Sequence, residues 1–469
     1  MSYQIGLLFI IVCVFFILAL RGLSSASTSH RGNLFGGIGM LIAISVPLLS
    51  NISSIGVHYL LTLLAIAVGG GVGYRIAKRT DMTNLPQLIA AFHSLVGLAA
   101  VCIAVSVYLA PNLHGIPLSP VGIIPTSNAI EMSLGATIGA LTFTGSVVAF
   151  GKLHGIIRKP LSFRGQHKLN LLIGIIIILL IGCFVSCQSA TVFTGLILVS
   201  LLIGYLLIMP IGGADMPVIV SMLNSYSGWT AAGIGFTLNN NLLIIVGALV
   251  GTSGAILSGI MCKGMNRSLI NVMIGGVGTG SGIPQESKAQ MRDIKVCSAE
   301  DAAFIIHNAS SVMIVPGYGM AVSQAQHIIR EMADTLKKND ITVKYAIHPV
   351  AGRMPGHMNV LLAEANIPYE EVFEIDDINH EFANTDVALV IGANDITNPS
   401  AKTDKNSPIY GMPVLDVEKA KTVIFIKRSL GAGYAGIDNP LFYYGNTMLV
   451  LGDAKKVSEN ILREIHGMH

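Results

Sequence analysis

The sequence predicts a membrane-embedded all-α bundle of nine transmembrane helices, followed by a soluble α/β domain built on a doubly wound, mostly parallel sheet. Three observations carry that expectation. Of the 469 residues, 52% are hydrophobic and 12% charged, with a mean hydropathy of +0.66. Soluble globular chains carry roughly 25% charged residues, so a cytosolic enzyme throughout is excluded, as is a disordered chain. Charge is divided along the sequence: residues 1–262 hold ten Lys/Arg against three acids (Asp81, Glu131, Asp215), and residues 263–469 hold nineteen against twenty-three. Finally, the hydrophobic period changes beyond a glycine-rich stretch at 275–282 (GGVGTGSG), which reads as flexible linker. The expected domains are therefore 1–262 in the membrane, a linker at 263–290, and a soluble domain at 291–469.

A helix crossing the bilayer core needs about 20 apolar residues. Stretches of that kind lie at 4–20, 34–50, 57–74, 85–109, 128–150, 169–187, 190–209, 214–238 and 241–262. The first lacks a basic leader and a small-residue cleavage site, so it reads as a retained helix. Lys and Arg stay on the cytoplasmic side of short loops. Arg21 and Arg31 follow helix one, Arg75, Lys78 and Arg79 follow helix three, and Lys152, Arg158, Lys159, Arg164 and Lys168 follow helix five. The connections after helices two, four, six and eight have none. The N-terminus is thus expected outside and the C-terminal half in the cytoplasm, in agreement with Lys263 and Arg267 after helix nine. Gly71-Val72-Gly73-Tyr74 looks like part of a potassium filter, but Arg75 follows it and the run completes a helix, so it reads as helix packing. Cys13, Cys102, Cys183, Cys187, Cys262 and Cys297 show no metal spacing and no disulfide framework; the Cys183/Cys187 pair reads as packing.

Ionisable groups inside hydrocarbon are costly and mark function by default. His93 stands in the fourth stretch, with Ala90, Gly97 and Ala100 at helical spacing, small residues that suit close helix packing. A buried side chain titrating near neutrality is what a proton relay requires; a core histidine satisfied by a serine or a carbonyl is the plainer alternative. In the eighth stretch Ser221, Asn224, Ser225 and Gly228 recur at i, i+3, i+4 and i+7, forming one small polar face. Asn224 is the candidate to bond a histidine or hold a water. Asp215 lies nine residues earlier, on the opposite face of a straight helix, with Pro217 either starting or kinking the helix between them. Near the cytoplasmic end, Asp215 faces a proton exit or the soluble domain, or is a solvated helix-start carboxylate. Glu131, at the outer start of helix five, is a weaker candidate.

Beyond the linker, short apolar runs alternate with helical patterns. Strands are expected at 311–315, 341–347, 371–375, 386–391, 412–415, 421–427 and 447–451, and helices at 320–338, near 357–366, near 377–384 and at 453–465. That alternation is Rossmann-like. The turn after the first strand, Gly317-Tyr318-Gly319-Met320-Ala321-Val322, has two glycines that let the backbone turn tightly and approach a pyrophosphate at a helix N-terminus. Val322 replaces the usual third glycine, and a tight turn without a ligand is the alternative. NAD sites usually carry an acid at the end of the second strand. Here Ile347-His348-Pro349 is followed by Val350-Ala351-Gly352-Arg353, without one. Lys427-Arg428-Ser429, at the end of a later strand, suits a 2′-phosphate. NADP(H) is therefore expected. Gly392-Ala393-Asn394-Asp395-Ile396-Thr397 also stands at a strand end, and 431–436, with Gly433, Tyr434 and Ala435, reads as a hinged lid laying an aromatic over the cofactor.

With these residues the chain resembles the β subunits of proton-translocating NAD(P) transhydrogenases over essentially its whole length. The likeness lies in nine helices before a cytoplasmic NADP(H) domain, the turn GYGMAV, the segments HPVAGRMPGHMNVLLAEA (with Pro355 and Gly356) and GANDITNP, and the run KRSLGAGYAG. The resemblance implies NADP(H) bound here in a reversed orientation, and NAD(H) bound on a separate α subunit. It further implies direct, Re/Si-specific hydride transfer between them coupled to proton movement, αβ units paired as a dimer, and a bacterial inner membrane. By position His93 resembles the relay histidine, Asn224 its partner, and Asp215 the acid coupling the relay to the nucleotide domain. Asp395 resembles the loop acid linking redox state to protonation, Lys427 and Arg428 the 2′-phosphate ligands, and Tyr434 the lid aromatic. No metal and no nucleic acid is expected. A nucleotide-gated transporter and a scaffold with a degenerate nucleotide fold are the rival readings.

Overall fold

The structure is a computed structural model that describes residues 3–23, 28–50, 56–118, 122–157, 163, 165–212, 215–266, 268–273, 294–354, 356–405, 407, 409–431, 433 and 435–468. Most of the expected linker, as well as Arg158, Lys159, Arg164, Arg267, Pro355 and Tyr434, lies outside the described residues. The chain falls into two compact units, Met1–Pro210 with Met222–Ile256, and Ile211–Ser221 with Leu257–His469.

The first half holds α1 (Tyr3–Leu23), α2 (Ser29–Ser50), α3 (Val57–Arg79), α4 (Leu85–Leu109), α5 (Thr126–Leu153), α6 (Gln166–Cys187), α7 (Ala190–Ile208), α8 (Met216–Thr237) and α9 (Asn241–Gly264). These bounds lie close to the nine apolar stretches. Among the described residues, seven helices are long and apolar enough to cross a membrane, α2 to α7 and α9. The apolar run in α1, Gly6–Gly22, is shorter. α8 falls below that standard because Ser221, Asn224, Ser225, Ser227 and Thr230 dilute its apolar character, and all but Asn224 of these are buried. Pro217 is its second residue, where a missing N–H costs nothing. It starts the helix and does not kink it.

Close backbone approach holds the first unit together. A Cβ on Gly97 of α4 would stand 2.6 Å from the Gly139 carbonyl oxygen and from the Phe143 nitrogen of α5. The small-residue spacing around His93 thus serves the α4–α5 crossing. The Lys152 ammonium, at the end of α5, donates to the Ile208 and Met209 carbonyls at the end of α7 (2.8 and 2.5 Å), so these helix ends share one level. Tyr108, Phe184 and Phe193 form an aromatic cluster in the core. Two packing expectations are corrected. Cys183 and Cys187 are exposed, their sulfurs 3.9 Å apart, because the buried face of α6 is Asn170, Ile173, Ile177 and Phe184. Gly71 and Gly73 complete α3 as expected, yet a Cβ on either meets nothing within 4 Å, so they pack against nothing described in this chain.

The second half contains α10 (Leu269–Met273), α11 (Ala299–His307), β1 (Ser311–Pro316), α12 (Tyr318–Ser323), α13 (Gln326–Lys338), β2 (Thr342–Ile347), α14 (His357–Glu364), β3 (Val372–Glu374), α15 (Ile375–Ile378), β4 (Val387–Ile391), α16 (Ser400–Thr403), β5 (Thr422–Lys427), β6 (Thr447–Leu451) and α17 (Ala454–Gly467). The strands form one parallel sheet in the order β3-β2-β1-β4-β5-β6. β4 is buried throughout, as a strand covered on both faces must be. The chain builds outward from β1 on one side, then crosses to β4 and builds outward on the other. The carboxyl ends of β1 and β4 therefore flank the point where strand order reverses, which is where ligands of open α/β sheets bind.

Three expectations differ. The 320–338 helix is broken at Gln324, which takes a left-handed φ of 53°, while the Ser323 hydroxyl donates back to the Gly319 carbonyl (2.9 Å) and competes with helix continuation. Residues 412–415 form no strand, since β4 and β5 pair directly. Their carbonyls instead accept from His348 and Asn379. The 377–384 helix is one turn of α15 followed by a 3-10 segment, Asn379–Asn384.

Replacing Gly97 with Ala drives a methyl into the α5 backbone and is expected to destabilise the bundle by about 1–3 kcal/mol. Thermal unfolding in detergent by circular dichroism reads this as a lowered Tm, with Gly174→Ala, where a Cβ meets nothing, as the control that does not fall.

Candidate functional site

A cavity of about 630 Å³ opens at the reversal point of the sheet. Four strand-end segments line it, Gly317–Gly319 with Val322 after β1, Val350–Arg353 after β2, Gly392–Ile396 after β4, and Lys427–Ser429 after β5, with Gly431, Gly433 and Ala435 following. Met320 and Ala321, expected at the cofactor, are fully buried instead. They anchor α12, and the reason is helical phase, because they point to the core while Gly319 and Val322 point out. Gly356, with φ of 64°, caps the start of α14 and does not line the cavity.

The glycines do more than turn the chain. The Gly317 N–H donates to the Ile391 carbonyl and the Gly319 N–H to the Gly392 carbonyl, both at 2.9 Å. This carries the β1–β4 ladder into the two turns. A Cβ on Gly319 would lie 2.6 Å from Gly392 Cα, and one on Gly392 (φ 64°) 2.3 Å from Gly319 Cα. The two turns touch backbone to backbone and both line the cavity. In the β4 turn, the Asn394 side chain accepts from Asn439 Nδ2 (3.1 Å). The Asp395 carboxylate accepts from the Ala435 N–H (2.9 Å) and lies against Gly433, where a Cβ would meet Oδ2 at 2.5 Å.

Lys427 ends β5. Its ammonium sits 4.4 Å from the Phe442 ring centre and donates to the Gly431 carbonyl (3.1 Å). Burial pushes its pKa down to about 8, against the pull of Asp395 and Asp438. Arg428 beside it is exposed. A dinucleotide fits this donor set: a phosphate would meet glycine turns that admit its approach, a second phosphate two cations, and its charge would restore the full charge of Lys427.

In the first unit, His93 Nδ1 lies 3.1 Å from the Ser227 hydroxyl, which donates to the Asn224 carbonyl at 2.8 Å. His93 thus meets α8 at Ser227, off the face of Ser221, Asn224, Ser225 and Gly228 expected to serve it, and Asn224 joins through its backbone. Asp215 is buried just before α8, in the second unit. Glu131 is part-buried in the first turns of α5.

A sequence model described as NAD(P) transhydrogenase beta subunit matches residues 5–464. The chain is 59% identical over 460 residues to the NAD(P) transhydrogenase subunit beta of Rhodospirillum rubrum, covering 98% of each chain, and the same figures hold for the like-named protein of a designated strain of that species. The chain belongs to the NAD(P) transhydrogenase beta subunit family.

Several residues around the cavity of this transhydrogenase chain escaped sequence reasoning. Met265, Ile409 and Met412 line it as apolar wall, and no local pattern distinguishes them from core. His348 and His357 are buried imidazoles shaping the Val350–Arg353 loop. His348 Nδ1 accepts from the Val350 N–H (3.2 Å) while Nε2 donates to the Pro413 carbonyl (2.8 Å). His357 Nδ1 accepts from the Arg353 N–H (3.1 Å), and the Arg353 guanidinium lies 4.4 Å from the centre of the Tyr318 ring across the cavity mouth. Each accepting nitrogen must be unprotonated, so both rings are neutral. Burial pushes both down to about 4, with Arg353 adding to the effect on His357. Their signal in the sequence was two histidines bracketing a glycine-containing strand-end loop.

Folding thus excludes protons from two groups whose ordinary value is 6.5. Their contribution is complete above that pH and is lost as pH falls toward 4, where the unfolded chain binds more protons; a shift of this size is worth up to about 3 kcal/mol per group. Urea unfolding of the sheet unit, followed by proteolysis, is expected to show stability falling across that window, and His348→Gln or His357→Asn to flatten the fall.

Proposed function

We propose that this chain binds NADP(H) in the cavity at the carboxyl ends of β1, β2, β4 and β5, and that it is the membrane-spanning partner of an α subunit carrying NAD(H). The observation that carries the reading is one cavity gathering glycine turns from β1 and β4 with Lys427 and Arg428 from β5. The order 3-2-1-4-5-6 is that of dinucleotide-binding Rossmann sheets. In the usual mode the adenosine ribose meets an acid at the end of β2. Here β2 ends in a buried neutral histidine, and the cations stand at β5, on the other side of the reversal point. Placing the 2′-phosphate on Lys427 and Arg428 puts the adenosine half over β4 and β5, reversed, with the nicotinamide half toward the turn of Tyr318 and Arg353.

Bound NADP(H) supplies or accepts the hydride exchanged directly, with Re/Si specificity, with NAD(H) on the partner. The chain's own residues orient and dry the site. Arg353 stacked on Tyr318 stiffens one rim. Asp395 holds Ala435 through its N–H and lies against Gly433, so any event that displaces this carboxylate releases those two residues, and Tyr434 is proposed as the aromatic cover. In the membrane, His93 takes up and passes a proton, with Asn224 and Asp215 on the same route. Moving one charge through 100 mV supplies about 2.3 kcal/mol, enough to bias two conformations by roughly fifty-fold when both sites favour the same pair.

The arrangement extends to topology: nine crossings over 1–262, a linker at 263–290 and a cytoplasmic NADP(H) domain at 291–469, in a bacterial inner membrane with the N-terminus outside, two αβ units forming a dimer. The shared level of the α5 and α7 ends supports this, because two odd-numbered crossings end on the same side. The isolated chain is not expected to turn over without its α partner.

Replacing Lys427 and Arg428 with Ala should raise the Kd for NADPH by roughly ten- to a hundredfold, the scale of a lost charged hydrogen bond, with little change for NADH. Isothermal titration on the detergent-solubilised chain measures both, and equal loss for both nucleotides would reject the 2′-phosphate assignment. His93→Gln should stop proton-linked turnover with α partner in liposomes while leaving that NADPH Kd largely unchanged; continued pumping would remove His93 from the route.

A further inference from the structure

The contacts around His93 contain more than a partner; they contain a direction. Ser227 has one hydroxyl proton, and two neighbours compete for it. The Asn224 carbonyl, one turn back on α8, lies 2.8 Å from the hydroxyl oxygen, and His93 Nδ1 lies 3.1 Å from it. A carbonyl only accepts, whereas a neutral imidazole nitrogen either donates or accepts. Both contacts are hydrogen bonds at once in a single arrangement. Ser227 donates to the carbonyl, and His93 donates from Nδ1 to Ser227.

The opposite arrangement spends the serine proton on Nδ1, leaves the carbonyl without it, and places the imidazole proton on Nε2. That nitrogen is buried and meets no donor or acceptor among the described residues. A buried N–H without an acceptor carries its full desolvation cost, while a bare ring nitrogen is the cheaper group to leave. Backbone contacts hold the geometry. Gly97 lies one helical turn beyond His93 and fixes α4 against α5, while a Cβ on Gly228, next to Ser227, would stand 2.3 Å from the Gly251 nitrogen of α9. Neither helix can slide to offer the ring another partner without opening these crossings.

We infer that Ser227 is the positioning residue of His93, holding the ring as the Nδ1–H tautomer so that Nε2 is the nitrogen that takes up and releases the transported proton. Uptake gives an imidazolium whose Nδ1–H still donates to Ser227. Loss of the same proton from Nε2 restores the starting tautomer, with no ring flip and no net change in Ser227. The inference rests on the relay reading of His93 for its function, but the tautomer is measurable without any turnover.

The test is solid-state NMR of the full chain, imidazole-labelled with ¹³C and ¹⁵N, in lipid at alkaline pH, with His93→Gln identifying the resonances of this one ring among thirteen histidines. A protonated Nδ1 and a bare Nε2 are expected. Ser227→Ala should move population to Nε2–H and lower proton-linked turnover by roughly two- to tenfold, the range one hydrogen bond allows, and Ser227→Thr, which keeps the hydroxyl, should restore both. A protonated Nε2 in the unaltered chain, or a tautomer unmoved by Ser227→Ala, would overturn the inference. Should Ser227→Ala fail to fold, the unaltered chain and Ser227→Thr still decide it. The two readings separate cleanly: an Nδ1–H ring with pumping intact in His93→Gln sinks the relay alone, and an Nε2–H ring with pumping abolished in His93→Gln sinks the tautomer alone.

Discussion

Backbone pressed directly against backbone is the constraint on which both halves of this transhydrogenase chain depend. In the sheet unit the turn after β1 lies on the turn after β4, with Gly319 and Gly392 in contact and two ladder-like hydrogen bonds running between them. In the bundle Gly97 admits the backbone of α5, and Gly228 that of α9. No side chain intervenes at any of these places, so the chemistry stands at the edge of a rigid crossing. Lys427 and Asp395 border the crossing in the sheet unit, His93 stands one turn from that of Gly97, and Ser227 is next to that of Gly228. A flexible methylene cushion would not hold a ring nitrogen or a carboxylate at hydrogen-bonding distance, whereas close-packed backbones transmit small displacements without absorbing them.

Polar satisfaction is managed differently in the two halves. The bundle draws on its own carbonyls: Ser227 on Asn224, Thr142 on Ile138, Lys152 on the last carbonyls of α7. Each such bond hides a hydroxyl or ammonium that hydrocarbon would penalise. The sheet unit instead ties loops to loops through buried side chains. His348 joins the end of β2 to Pro413, Asn439 joins the β4 turn to the segment before β6, and Asp416 receives Lys402 and Lys419. The strand-end loops therefore form one cross-linked surface. Such cross-linking means that a displacement of one strand-end loop is felt by its neighbours.

The legible parts of this protein were those with a repeating physical cause. Among the described residues each of the nine apolar stretches is a helix with bounds within about five residues of those expected, because a long apolar run satisfies its backbone groups within its own segment. Strands β1, β2, β4, β5 and β6 were legible because each is a short apolar run between turn residues. Where local chemistry competed with the pattern, reading failed. Ser323 and Gln324 divided a helix that hydropathy ran straight through, and 412–415, apolar enough for a strand, found the place between β4 and β5 closed by their direct pairing. Helix α11 carries a local signal, the Ser298–Asp301 capping box, without a long apolar run to mark it.

From sequence alone, composition and spacing determined a membrane bundle joined to a parallel-sheet domain, its strand-end segments, and the histidine in the fourth helix, since period, length and charge are properties of neighbours along the chain. Only the tertiary structure decided that Ser227 and not the Asn224 side chain meets His93, that Met320 and Ala321 face the core, and that buried His348 and His357 shape the loop opposite the glycine turn. Those are contacts between residues distant in the chain or choices of helical phase. Each turns on which atoms finally share a buried space, and no local pattern encodes that.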